Sequence, residues 1–145
     1  MRNQKGITLV ALVITIIVLL ILAAVTIAAL GGSNGILTNA SRSQVANELG
    51  EAQDLINLTA NEAINNYYTT IYVNGTAEVD GTNDKQSMVV NAINALSLNN
   101  GTTKGITDQG DDKLVTVTSE NKKGTATATI DENGTLSKWT VTINK

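Results

Sequence analysis

The sequence contains no cysteine, no histidine and no phenylalanine. Without cysteine there is no disulfide to stabilise a small domain and no thiolate to act as a nucleophile. Without histidine the chain lacks the commonest general base, the commonest metal ligand and the Ser/His and Cys/His pairs of nucleophilic catalysis. We therefore do not expect an enzyme, and we expect no catalytic residue, cofactor or metal ligand.

Aromatic side chains and net charge are also scarce. The chain has one tryptophan, three tyrosines and a formal net charge of −3. The part beyond residue 30 offers room for one small domain, and its core should be thin because large apolar side chains are few. A mildly acidic chain without basic clusters argues against nucleic acid as a direct partner.

What the chain does have is one long uncharged segment. Residues 7–30 include no charged residue and no proline, and their only hydroxyl side chains are three threonines. A helix of this length measures roughly 36 Å, enough to cross the ~30 Å hydrocarbon core of a bilayer. Arg2 and Lys5 precede it, and positive charge on this side predicts a cytoplasmic amino terminus. The sequence therefore predicts a single-pass membrane helix with the rest of the chain outside.

Three interpretations of this segment compete. A secretory signal peptide has a shorter apolar core, but the small residues Ala28 and Ala29 could mark its cleavage site. A plain membrane anchor is the second interpretation. The third depends on the near end, Lys5-Gly6-Ile7-Thr8-Leu9-Val10, followed directly by the long aliphatic helix. This combination resembles the class III signal of type IV pilins and pseudopilins.

The resemblance assigns roles to single residues. In that family a dedicated membrane peptidase cleaves after the glycine and methylates the new amino terminus. Gly6 would then end the leader, and Ile7 would be the methylated first residue of the mature chain, where phenylalanine is usual. Ala11 stands where most pilins place a glutamate, as in a variant that resembles Gram-positive clostridial pilin-like proteins. Either the subunit finds its register by apolar packing, or it is a minor pilin that does not need the pairing made by the glutamate.

The function implied is that of a structural subunit of an extracellular type IV pilus or a similar filament, in roles such as cell adhesion or motility. Its implied partners are further copies of itself, the prepilin peptidase, the assembly platform with its ATPase, and the membrane before assembly. A pseudopilin of a secretion or DNA-uptake machine, and a membrane-anchored or secreted binding module, remain the alternatives. The residues implied to form the filament-core helix are Ile7, Thr8, Leu9, Val10, Ala11, Ile14, Ile17 and Leu20.

Beyond the apolar segment, three glycines within residues 31–35 predict a hinge. Ser41 and Gln44 have the spacing of a capping box, which predicts that a second helix begins there. Apolar residues at helical spacing predict its buried face: Val45, Leu49, Ala52, Ile56, Ala60, Ala63 and Tyr67. The acidic residues Glu48, Glu51, Asp54 and Glu62 are predicted to lie on the opposite, solvent-facing side.

The remaining residues carry β signals around one short helix. We predict a strand at 69–73, a helix at 86–98 and a loop at 102–112. The acidic residues of that loop lack EF-hand spacing, so we expect a solvated loop and not a calcium site. Alternating residues with intervening turns predict an antiparallel meander with strands at 114–119, 125–130 and 138–143.

Together these patterns predict an α+β fold. A long amino-terminal helix, with a hydrophobic half and an amphipathic half, should pack on a small carboxy-terminal antiparallel sheet of three to four strands. The expected organisation is a leader at 1–6, a membrane or filament-core helix at 7–30, a hinge at 31–40 and an extracellular head at 41–145. The head core is predicted to include Val45, Leu49, Ile56, Trp139, Val141 and Ile143.

Overall fold

The computed structural model describes residues 4–32, 34–74 and 84–144, and it confirms the predicted α+β class. The chain divides into two compact units, Met1–Arg42 and Ser43–Lys145. The elements are three helices, α1 (Gln4–Gly31), α2 (Ile36–Asn74) and α3 (Lys85–Ala95), and four strands, β1 (Thr103–Gln109), β2 (Asp112–Thr118), β3 (Gly124–Ile130) and β4 (Thr140–Ile143).

The break between α1 and α2 falls among the glycines, as predicted. The Gly35 N–H donates to the Gly32 carbonyl at 2.7 Å, which closes a tight turn. A Cβ at Gly35 would lie 2.5 Å from the Leu30 carbonyl oxygen, so this turn requires glycine. The predicted capping box at residues 41–44 is wrong, because the turn already starts α2 at Ile36 and leaves Ser41 inside the helix.

The predicted strand at 69–73 is also wrong, because α2 continues to Asn74. The hydroxyls of Thr69 and Thr70 donate to the carbonyls of Asn65 and Asn66, at 2.8 and 2.9 Å. These bonds satisfy the threonine side chains within the helix. Extending an existing helix also avoids the cost of nucleating a new element, so β-branched residues can be added to its end.

The short helix α3 has a defined start. The Asp84 side chain accepts a hydrogen bond from the Ser87 N–H and so caps the helix. The helix ends at Ala95, three residues before the predicted end. Its two fully buried residues, Val89 and Ile93, contribute to the core of the head.

The sheet is fully antiparallel, in the order β1-β2-β3-β4. The loop predicted at 102–112 is wrong, since β1 occupies most of it and pairs with β2 from Thr103↔Thr118 to Gln109↔Asp112. As an edge strand, β1 is exposed at most positions, with Ile106 its only large apolar residue. It therefore lacks the alternating apolar signal on which the prediction depended.

The core lies between α2, α3 and the central strands β2 and β3. It is made of small and medium aliphatic side chains that are at most 6% exposed: Val45, Leu49, Ala52, Ile56, Ala60, Ala63, Val89, Ile93, Val115, Val117, Ala126 and Ile130. α2 approaches β3 closely at Gly124, where a Cβ would lie 2.3 Å from Val45 Cγ1 and 2.9 Å from Leu49 Cδ1.

The carboxy-terminal part of the predicted core needs correction. Val141 is 46% exposed and lies outside the core. Its strand β4 is last in the sheet, and among the described strands it pairs only with β3. Trp139 and Ile143 pack against the core but are only half-buried, and the Trp139 Nε1–H donates to Asn57 Oδ1 at 3.0 Å.

Candidate processing and assembly segment

Helix α1 buries none of its described apolar side chains. Every described side chain from residue 8 to residue 32 is exposed, and its large aliphatic side chains range from 43% exposed at Leu30 to 70% at Ile27. An exposed apolar surface this extensive marks a membrane or protein interaction site. The helix therefore has to be covered by lipid or by other protein chains.

The polar groups of α1 are suited to an apolar environment such as lipid or packed helices. The Thr15 hydroxyl donates to the Leu12 carbonyl at 2.8 Å, and the Thr26 hydroxyl donates to the Leu22 carbonyl. These bonds, with those of the helical backbone, satisfy polar groups internally, as an apolar surrounding requires. Among the described residues, one helical stretch is long and apolar enough to cross a membrane, and it begins at Thr8.

The residues implied in processing lie at the start of this helix. The backbone is helical from Gln4, which places the Gly6–Ile7 bond in the first turn of α1. Arg2 lies outside the described residues. The described residues assigned to a filament core all lie exposed on α1: Thr8, Leu9, Val10, Ala11, Ile14, Ile17 and Leu20.

Residues 1–27 match the family model described as the prokaryotic N-terminal methylation motif. The chain carries the class III signal peptide of type IV pilins. This methylation motif supports a pilin-like or pseudopilin subunit that is anchored in a membrane, and it points to a structural protein and not to an enzyme. No curated protein and no solved structure matches the chain.

In the head, a polar groove of about 670 Å³ lies between α2, the start of α3 and the segment after β3. Its lining includes the amides of Asn57, Asn61 and Asn133, together with Tyr68 and Lys85. The Lys85 ammonium lies 5.0 Å from the ring centroid of Tyr68. A side-chain hydrogen bond with Tyr68 raises the pKa of Lys85 above its ordinary value.

The acidic side chains of the described residues form no metal-binding cluster. Within the described ranges, no group of three or more histidine, cysteine, aspartate or glutamate side chains could hold a metal ion. Asp108, which the sequence placed in an acidic loop, lies in β1 and forms an ion pair with Lys113. The Lys113 Nζ lies 2.8 Å from Asp108 Oδ1.

The structure also corrects the placement of Glu48, which is only 7% exposed and not on the solvent-facing side of α2. Its position next to Leu49 and three residues after Val45, both fully buried, is the sequence signal that could have placed it at the edge of the core.

Proposed function

We propose that the chain is a structural subunit, a pilin, of an extracellular type IV pilus or type IV pilus-like filament. It is assembled by bundling of its α1 helices after the prepilin peptidase cleaves between Gly6 and Ile7. The observation that carries this proposal is the coincidence of two features in one segment. The methylation motif occupies residues 1–27, and the helix that it opens exposes all of its described apolar side chains.

Two environments can cover α1 in succession. Before assembly, Arg2 and Lys5 hold the amino terminus in the cytoplasm and lipid covers the helix. After assembly, helices of neighbouring copies replace the lipid. Because lipid tails and aliphatic side chains are about equally apolar, this exchange gains little from the hydrophobic effect, and close packing of helices has to stabilise the bundle. The assembly platform and its ATPase would supply the work of extraction.

The amino terminus of the mature protein tests the proposal. We expect intact-mass and peptide mass spectrometry of the protein from its native host to find a chain that lacks residues 1–6 and starts at a methylated Ile7. An intact Met1 would identify a plain anchor, and a start after Ala28 or Ala29 would identify a secreted protein. Either result would contradict the proposal. A pseudopilin would share the methylated terminus, and electron microscopy separates the two by the presence of long surface filaments.

Ala11 provides a second prediction, on how the subunits find their register. We expect Ala11→Glu to reduce the number of filaments, because a carboxylate at membrane depth costs about 2.5–3.5 kcal/mol and has no partner in a bundle that relies on apolar packing. Ala11→Gln is the matched control of similar size without the charge. Filaments are counted by electron microscopy at equal amounts of processed subunit. More filaments from Ala11→Glu than from the natural sequence would show instead that a paired carboxylate is missing.

A further inference from the structure

The groove of about 670 Å³ in the head has a lining that is mostly polar but almost uncharged. Its size falls within the range of about 300–1,000 Å³ that is usual for small-molecule clefts, whose linings are mostly apolar. Asn57 and Asn61, one helical turn apart, line it from α2, and Asn133 and Thr135 line it from the segment after β3. Among its lining residues only Lys85 is charged. The groove therefore offers hydrogen bonds more than charge.

The amide of Asn57 is held in one orientation. The Trp139 Nε1–H donates to Asn57 Oδ1 at 3.0 Å, and because an indole N–H is only a donor, the amide oxygen has to face the tryptophan. The Asn57 Nδ2 has no hydrogen-bond partner among the described residues. Its two N–H groups are therefore the part of this half-buried side chain that is left to bind a molecule in the groove.

The turn that carries Asn133 is fixed as well. Asp131 Oδ1 accepts hydrogen bonds from the backbone N–H groups of Asn133 and Thr135, at 2.9 and 2.7 Å. Gly134 has a positive φ of 75°, and a Cβ there would lie 2.7 Å from Ile64 Cδ1 on α2. The turn is thus seated closely against the helix. A groove whose walls are already in place loses little entropy when it binds a ligand.

We propose that this groove binds an uncharged saccharide, either free or as part of a surface polysaccharide, through the amides of Asn57, Asn61 and Asn133. The side chains of Asn61 and Asn133 form no hydrogen bond with other described residues. Each amide has donors and an acceptor, and sugar hydroxyl groups also donate and accept, so the two can pair in either direction. Tyr68, which is 42% exposed, adds an aromatic ring against which the C–H groups of a sugar can pack.

The surroundings of Lys85 favour an uncharged ligand over an anionic one. Its ammonium lies 5.7 Å from the ring centroid of Tyr67 and 5.0 Å from that of Tyr68, and it interacts electrostatically with the carboxylate of Asp131. Because this positive charge already has partners, an anionic ligand would have to compete with them. Saccharide binding goes beyond the role in a filament, since it requires neither processing nor assembly.

Titration of the full chain tests the proposal, in a detergent without a sugar headgroup. The probes are the tetrasaccharides of glucose, galactose, mannose and N-acetylglucosamine. We expect at least one to bind with a Kd of about 1 mM, the level that a few net hydrogen bonds provide. Trp139 fluorescence should report binding because Trp139 is bonded to Asn57. Retention on the insoluble polysaccharide of the same sugar would identify a polymer as the ligand, and binding of the tetrasaccharide alone a free sugar.

Variants on α2 make the result specific. Asn61→Ala should raise the Kd roughly 2–10-fold and leave the Tm unchanged, because Asn61 is exposed and forms no hydrogen bond with other described residues. Asn66→Ala, the same change at an exposed position of α2 outside the groove, should bind like the natural sequence. Adding Asn133→Ala to Asn61→Ala should weaken binding further.

Three results would overturn the proposal. The first is that none of the four tetrasaccharides binds at 10 mM. The second is that Asn66→Ala weakens binding as much as Asn61→Ala does. The third is that tetragalacturonate, a charged probe of the same length, binds more tightly than all four uncharged probes, which would identify an anion site at Lys85 instead.

Discussion

Gly6→Val is expected to leave the chain uncleaved and to abolish its filaments. The resemblance to pilins implies a peptidase that requires glycine before the bond it cleaves. In this chain that bond, Gly6–Ile7, lies in the first turn of α1. Glycine is about 1 kcal/mol less favourable in a helix than alanine, which helps this turn to open for cleavage. A β-branched side chain in its place adds bulk next to the bond and removes the backbone freedom of glycine.

The uncleaved chain should also fail to assemble for a reason of its own. It keeps the charged residues Arg2 and Lys5 ahead of the apolar segment that has to bundle, and charged side chains are costly in an apolar surrounding. Mass spectrometry of the amino terminus measures cleavage, and electron microscopy measures filaments. Gly31→Val, at a glycine in α1 with open space around its Cα, should be cleaved normally. Normal cleavage of Gly6→Val would contradict the assigned processing site.

The second large effect is expected in the head. Leu49→Ala should lower the free energy of unfolding by about 2–5 kcal/mol, the range for truncating a fully buried leucine. Leu49 is 0% exposed and lies where α2 approaches β3 at Gly124. Since a small domain is stable by only about 5–15 kcal/mol, this loss would remove a large part of its stability.

Leu58→Ala is the matched control for this prediction. Leu58 lies on the same helix but is 64% exposed, so the same substitution should change the free energy of unfolding by about 0.5 kcal/mol or less. Denaturant titrations of the full chain in detergent, followed by Trp139 fluorescence, measure both variants. Equal losses for the two leucines would show that the buried face of α2 has been assigned to the wrong side.

The sequence predicts those elements whose apolar residues repeat with the period of a helix or a strand. The apolar stripe of α2 and the alternating residues of β2 and β3 repeat with the period of their element, so both faces could be read directly. β1 could not, because an edge strand can fold with a mostly polar sequence when a stronger strand pairs with it. The strand predicted at 69–73 is wrong for the opposite reason. These residues have β propensity, but they continue the preceding helix α2.

The candidate segment was easier to predict than the head. Its motif is contiguous, and its signal is the order of residues along the chain: charge, then glycine, then an uncharged segment. The burial of Glu48 depends instead on a segment some fifty residues away that lies beside α2. The neighbouring core residues place Glu48 only at the edge of the core, and the enclosure of its Oε2 follows from the tertiary structure.

Because no described side chain of α1 is buried, the stability of the folded head and the stability of an assembly are separate quantities that different experiments measure. Unfolding of an isolated subunit reports on the core from Val45 to Ile130 and should be almost insensitive to aliphatic substitutions in residues 8–30. Those substitutions should appear instead in measurements on whatever covers the helix, such as the temperature or detergent concentration at which an assembly comes apart. A variant can therefore have the melting curve of the natural sequence as a monomer and still assemble poorly.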